Sequence, residues 1–352
     1  MEIQKSLSYG WKKLKETWWW VSLTLLYGQI GGLLYLFAGF TAMKFTGNPE
    51  LLSKFSYNSF QSSIKLGIIP KNVGSYFISL VIMFLMLYFF AGYLPSKKAA
   101  NKNHNVLMLK VAIWFFIINV AFAALSALVM KSANPSNPNM YSKSIIASQI
   151  ISQMSGIFSV NLFIGIALIS YIYEKFSEGS AVRVLTVYFI FALLPIVISS
   201  ATLFTTYLPT NHGAPKPVSP LFALVQALIF FVIYSVEIFV LPETALQNDL
   251  TKGFQRGFYL MREKGRIIFF YLILYVIEYA FFYICSFLSV RNRISSIVST
   301  TFYQWLFGML MAFVILSSFR LAYLFENKDE LFKEPSADEN QQNSKIFNER
   351  EG

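Results

Sequence analysis

Apolar runs of about twenty residues recur along this chain, and few folds can accommodate them. Eight stand out, at 18–40, 74–96, 109–130, 148–172, 184–207, 220–241, 267–290 and 299–323. As a helix, each is long enough to cross a hydrocarbon layer roughly 30 Å thick. Lipid offers no hydrogen bonds, so a crossing segment must satisfy its own backbone, and a helix does so. A membrane barrel would instead show segments of about 10 residues with strict alternation. The expected fold is therefore an all-α integral membrane protein with about eight transmembrane helices. A composition of 55% hydrophobic and 13% charged residues sets aside the soluble domains that 352 residues would otherwise suggest.

Charge placement points to a membrane partner rather than nucleic acid. The net charge is +11, yet the tail from Glu326 is acidic, and the cations cluster in short connections between apolar runs. That pattern serves orientation and contact with anionic lipid headgroups. With a cytoplasmic N-terminus, 20 of the 29 Lys and Arg fall on the cytoplasmic side. Both termini are expected there, which requires an even number of crossings. The basic stretch before the first apolar run is too long for a cleavable signal, so that run reads as an uncut helix. One cysteine (Cys285) and two histidines cannot build a zinc cluster, and neither metal nor cofactor is expected. His104, among polar residues, reads as a solvated side chain.

The stretch from Leu221 to Val290 organises the chain. It reads as a span closed by Pro242, a basic amphipathic helix at 244–266, and a further span. Thr244 followed by Gln247 matches a capping box. Leu250, Phe254, Phe258 and Met261 share one helical face, with Lys252, Arg256, Arg262 and Arg266 as cations. Such a helix should lie in the headgroup layer. Residues 1–17 look like a copy of it. Leu7, Trp11, Leu14 and Trp18 follow a 4-3-4 spacing, and a shift of 247 positions overlays Lys5, Gly10, Trp11 and Glu16 on Lys252, Gly257, Phe258 and Glu263. The expected organisation is an N-terminal interfacial helix (1–17), a polytopic membrane domain (18–325) and a disordered cytoplasmic tail (326–352). Within the membrane domain, 148–172 is expected as one uninterrupted span. Pro195 should kink the fifth span, and Ser132–Ser144 should be a turn.

Two stretches carry a family resemblance. They are Ser6–Leu26, SLSYGWKKLKETWWWVSLTLL, and Val240–Tyr275, VLPETALQNDLTKGFQRGFYLMREKGRIIFFYLILY, about a sixth of the chain together. They resemble a group of prokaryotic polytopic proteins related to the membrane domain fused to some glycerophosphodiester phosphodiesterases. The catalytic barrel of those enzymes has no counterpart segment here. The resemblance therefore implies a helical membrane domain in a prokaryotic plasma membrane, without the phosphodiesterase activity.

Polar residues inside the spans are the candidate functional groups, because a charge at mid-bilayer costs at least about 2.5 kcal/mol. Glu278, Gln29, Asn119 and Asn161 fall near the middle of their spans and are expected either to face one interior ligand cavity or to pair with one another between helices. Glu237 and Arg320 lie at similar depth near the inner surface and are expected to form an ion pair or share a polar pocket. No nucleophile elbow, His-Glu-x-x-His or phosphate-binding glycine loop occurs. The leading expectation is a non-enzymatic protein that binds, moves or helps assemble a small or amphiphilic ligand. A structural or regulatory subunit is the alternative, and an intramembrane enzyme the third. Self-association or a membrane-protein partner is left open.

Overall fold

The computed structural model describes residues 2–47, 81, 84–96, 98–131, 138–207, 220–289 and 293–326. Among the described residues the chain is helical throughout, with no strand. The helices are α1 (Glu2–Thr46), α2 (Phe84–Ser96), α3 (His104–Lys131), α4 (Pro138–Ile157), α5 (Val160–Ile172), α6 (Glu178–Tyr207), α7 (Pro220–Leu246), α8 (Leu250–Lys264), α9 (Ile267–Ser289) and α10 (Arg293–Phe325). Five stretches are long and apolar enough to cross a membrane: His104–Ser126, Ile146–Ile172, Glu178–Ala201, Leu228–Leu246 and Thr301–Phe325. Of the other expected spans, 18–40 lies inside α1, 267–290 coincides with α9, and 74–96 is described mainly over α2. Of the expected tail at 326–352, residues 327–352 lie outside the described residues.

Several boundaries differ from expectation. The N-terminal amphipathic segment is not a separate helix. Residues 11–27 contain neither Gly nor Pro, so helix hydrogen bonding continues unbroken into the first span. The stretch 148–172 is broken at Phe158 and Ser159, two residues after Gly156, where Ser159 adopts extended angles. The expected turn at 132–144 is half helix, because Pro138 begins α4, a position that suits proline. Pro242 does not close its span, since α7 runs on to Leu246. The cap of the following helix is Asp249, whose carboxylate accepts from the Thr251 backbone N–H at 3.1 Å. Thr244, expected as that cap, instead donates to the Leu241 carbonyl. Pro195 sits within α6 as expected.

Packing is organised around α5 and α10. Nine consecutive residues of α5, Leu162 to Ser170, are buried, as befits a helix apolar on every side and surrounded by others. Helix α10 is lined by α1, α5, α7 and α9, and α3 pairs with α4. The outward faces stay apolar: Trp114, Leu128, Val197, Val232 and Phe269 are among many large exposed hydrophobics. In water such a surface would be an aggregation hazard. In a bilayer it faces acyl chains, and the architecture is that of a membrane-embedded helical protein.

Helix α8 docks through small residues as well as through Leu250, Phe254 and Met261 of its apolar face, Phe254 stacking on Phe191 of α6. Gly253, Gly257 and Leu260 are its buried residues, and the two glycines press against Thr244 and Val240 of α7. Phe258 and Tyr259 remain exposed. The correspondence between α8 and the start of α1 extends to packing. Gly10 presses on Ser317 of α10 as Gly257 presses on Val240. Trp11 and Phe258 are 55% and 52% exposed. The two copies differ at their C-terminal ends. The first continues without a break in the same helix to Thr46, whereas the second ends at the turn Gly265–Arg266.

Candidate functional site

Five helices, α5, α6, α7, α9 and α10, enclose a cavity of about 410 Å³. Helical periodicity builds its walls. Phe231, Tyr234, Ile238 and Leu241 come from one stripe of α7, and Phe307, Met311, Val314 and Ser318 from one stripe of α10. Space arises partly because Gly165 of α5 contributes no side chain, while Ile315 across from it would meet an added Cβ at 3.0 Å. The lining is predominantly apolar and aromatic with a few polar groups, the usual constitution of a small-molecule site.

Two polar side chains in this wall are unsatisfied. The Glu237 carboxyl is 9% exposed and, among the described residues, has neither a hydrogen-bond nor an ion partner. The Asn161 amide, on the first turn of α5, likewise lines the cavity without a partner among the described residues. Other polar groups in the wall are occupied. The Tyr271 hydroxyl sits between Ser317 Oγ and Ser318 Oγ, at 3.0 and 2.9 Å. Ser235 donates to the Phe231 carbonyl of its own helix. Tyr188 is hydrogen-bonded to Ser159 and lies close enough to Glu237 to interact with it electrostatically. Buried polar groups are nearly always paired, so buried Glu237, with half-buried Asn161 beside the same cavity, is the group here that a ligand would satisfy.

The expected site is thereby redrawn. Of the four residues expected to share a cavity, Asn161 lines it and Asn119 does not. The Asn119 amide donates to the Phe115 carbonyl at 2.8 Å and accepts from Ser155 Oγ at 2.9 Å, so it clasps α3 to α4. The side chains of Gln29 and Glu278 lie outside the described residues. The expected Glu237–Arg320 pair is not formed: Glu237 lines the cavity, and the Arg320 guanidinium lies 5.1 Å above the Tyr9 ring. Arginine stacks readily on an aromatic face, and Tyr9 is brought there by the packing of α1 on α10.

No family model, curated protein or solved structure matches the chain.

Three features escaped sequence reasoning. His104 is fully buried rather than solvated: Nδ1 is 2.9 Å from Ser170 Oγ, and Nε2 is 3.3 Å from the Ala91 carbonyl. Glu243, past the expected end of its span, is also fully buried, and its Oε2 accepts from Gln247. Tyr188 and Tyr271 carried no distinguishing signal among 20 tyrosines. Only helix packing selects them. The polar neighbours of His104 could not reveal its burial either, because they form a tight turn at the head of α3, with the Asn103 N–H donating to the Asn101 side chain. Among the described residues, no three His, Cys, Asp or Glu stand together as a metal-binding group.

Proposed function

We propose that this chain is a multi-pass membrane protein that binds a small amphiphilic ligand in the cavity between α5, α6, α7, α9 and α10, and moves or presents it without altering it chemically. One observation carries this reading. Glu237 and Asn161 line the same apolar cavity and neither has a partner among the described residues. A buried carboxyl left unpaired costs on the order of a few kcal/mol, and a ligand that pairs with it recovers that cost, with the Asn161 amide offering a second contact. The cavity volume of about 410 Å³ suits a small ligand with a largely apolar body. In this reading the chain crosses a prokaryotic plasma membrane eight times with both termini cytoplasmic. The asymmetry of Lys and Arg supports that orientation. The basic face of α8 rests against anionic headgroups, and the resemblance to the phosphodiesterase-associated membrane domains fits a non-catalytic role.

A structural or regulatory role is the second reading, and specific contacts favour it for another part of the molecule. Between α3 and α4, Ser126 meets Ser148 at 2.7 Å and Ser155 meets Asn119. These pairs hold the two helices together.

The test uses purified full-length protein in mild detergent and the neutral, environment-sensitive dye N-phenyl-1-naphthylamine. Saturable fluorescence enhancement, weakened about tenfold or more by Gly165→Leu, is expected, since leucine would occupy the cavity. Non-saturable partitioning, identical in both proteins, would reject the cavity as a ligand site. Thermal unfolding of the variant checks that it is folded.

A further inference from the structure

The same cavity discriminates by charge. Glu237 brings an acid into it, and among the described residues no cation faces that acid. The remaining polar contributors to the wall are the Asn161 amide and hydroxyls, all uncharged. The basic side chains at this end of the bundle are engaged elsewhere. Arg183 donates to the Thr244 carbonyl at 3.2 Å, and Arg320 lies over Tyr9. An anionic ligand would meet an uncompensated carboxyl, and a neutral one would leave it uncompensated.

Aromatic rings favour the same charge. Tyr188, Tyr234, Tyr275, Phe231, Phe307 and Phe319 line the cavity, drawn from four different helices. Their faces carry negative quadrupole charge and attract a cation, most strongly where water is excluded. A carboxyl without a counter-charge, set among aromatic faces in an apolar chamber, has the constitution of a receptor for an organic cation. We infer that the ligand is a hydrophobic organic cation, an ammonium or similar centre carried on an apolar or aromatic body, with Glu237 as its counter-ion. This rests on the ligand-binding reading of the cavity and adds the charge of its occupant.

The test compares two ions of one shape and opposite charge, tetraphenylphosphonium and tetraphenylborate, as competitors of the neutral dye on the full-length protein in a non-ionic detergent. The expected result is that the phosphonium displaces the dye at least about tenfold more tightly than the borate. Glu237→Gln should lower that ratio several-fold, leaving the preference the aromatic rings supply. Dye binding with equal displacement by both ions would overturn the cation assignment and leave the cavity reading intact. Absence of saturable binding by the dye and by both ions would overturn both. The ratio in the unaltered protein decides the matter even where Glu237→Gln fails to fold. Unchanged phosphonium affinity in a folded Glu237→Gln variant would show that the cation binds elsewhere.

Discussion

Gly257 of α8 lies so close to α7 that a Cβ placed on it would stand 2.6 Å from Val240 Cα. The contact is with backbone, which cannot turn aside as a flexible side chain could. One turn earlier, Gly253 stands in the same relation to Thr244, with 2.8 Å to its Cα. Two small residues four apart thus let the amphipathic helix lie against the last turns of α7. Gly257→Ala should force α8 away from α7 and cost about 1–3 kcal/mol, the usual range for overpacking. Gly10→Ala meets Ser317 Cβ at 3.0 Å and should cost less. Thermal unfolding of both variants in detergent compares the two copies directly. Equal stability of Gly257→Ala and the parent protein would refute the docking.

His104 joins three helices through one imidazole. The Ala91 carbonyl, in the π-helical part of α2, can only accept, so Nε2 carries the proton. Nδ1 lies 2.9 Å from the Ser170 hydroxyl of α5, which can donate to it. His104→Ala should cost about 2–5 kcal/mol, because it leaves a void and strands two polar groups. His104→Phe keeps the volume and strands the same groups, and should cost about 1–3 kcal/mol. Unfolding midpoints that place the alanine variant above the phenylalanine one would contradict this account.

Arg256 of α8 reaches the end of α10. Its Nε and one terminal nitrogen approach the same Glu326 oxygen at 2.6 and 2.5 Å, and its guanidinium lies 5.4 Å from the Phe325 ring centre. The arginine side chain is 40% exposed, so the pair should contribute at most about 1 kcal/mol. Arg256→Lys keeps the charge but loses the planar stacking, and should lose most of that contribution. A double-mutant cycle with Glu326→Gln at low and high salt measures the coupling. A coupling that does not shrink with salt would contradict a pair held by charge.

Asn119 and Ser155 should couple by about 0.6 kcal/mol, and by no more than about 1.7 kcal/mol, as polar pairs between membrane helices do. Asn119→Ala should leave dye binding in the cavity unchanged, since the amide is spent between α3 and α4. A loss of binding comparable to that of Gly165→Leu would restore Asn119 to the ligand site.

The legible part of this protein is what local chemistry governs. Helices at 109–130, 184–207 and 299–323 were evident because an unbroken apolar stretch in lipid has no other way to satisfy its backbone. Their ends were less evident. Pro242 and Thr244 look like a stop and a cap, yet α7 continues past both. There Arg183 donates to the Thr244 carbonyl, and α8 packs its glycines against Val240 and Thr244. Those contacts come from residues far along the chain, and a local pattern cannot anticipate them.

The candidate site divides along the same line. Intramembrane polarity pointed to Glu237, Asn161 and Asn119 alike, because insertion cost depends on residue type and depth alone. Which of them meets a partner depends on helix rotation and on the neighbour presented. Ser155 happens to satisfy Asn119, whereas α5 turns Asn161 toward the cavity that Glu237 also lines. His104 shows the converse, a polar residue in a polar stretch that packing carries into the core. By itself the sequence determined that this is a helical membrane protein, because hydrophobic length and backbone satisfaction are properties of each segment alone. Only the tertiary structure decided where the cavity lies and which side chains it leaves unpaired, because pairing is a relation between segments.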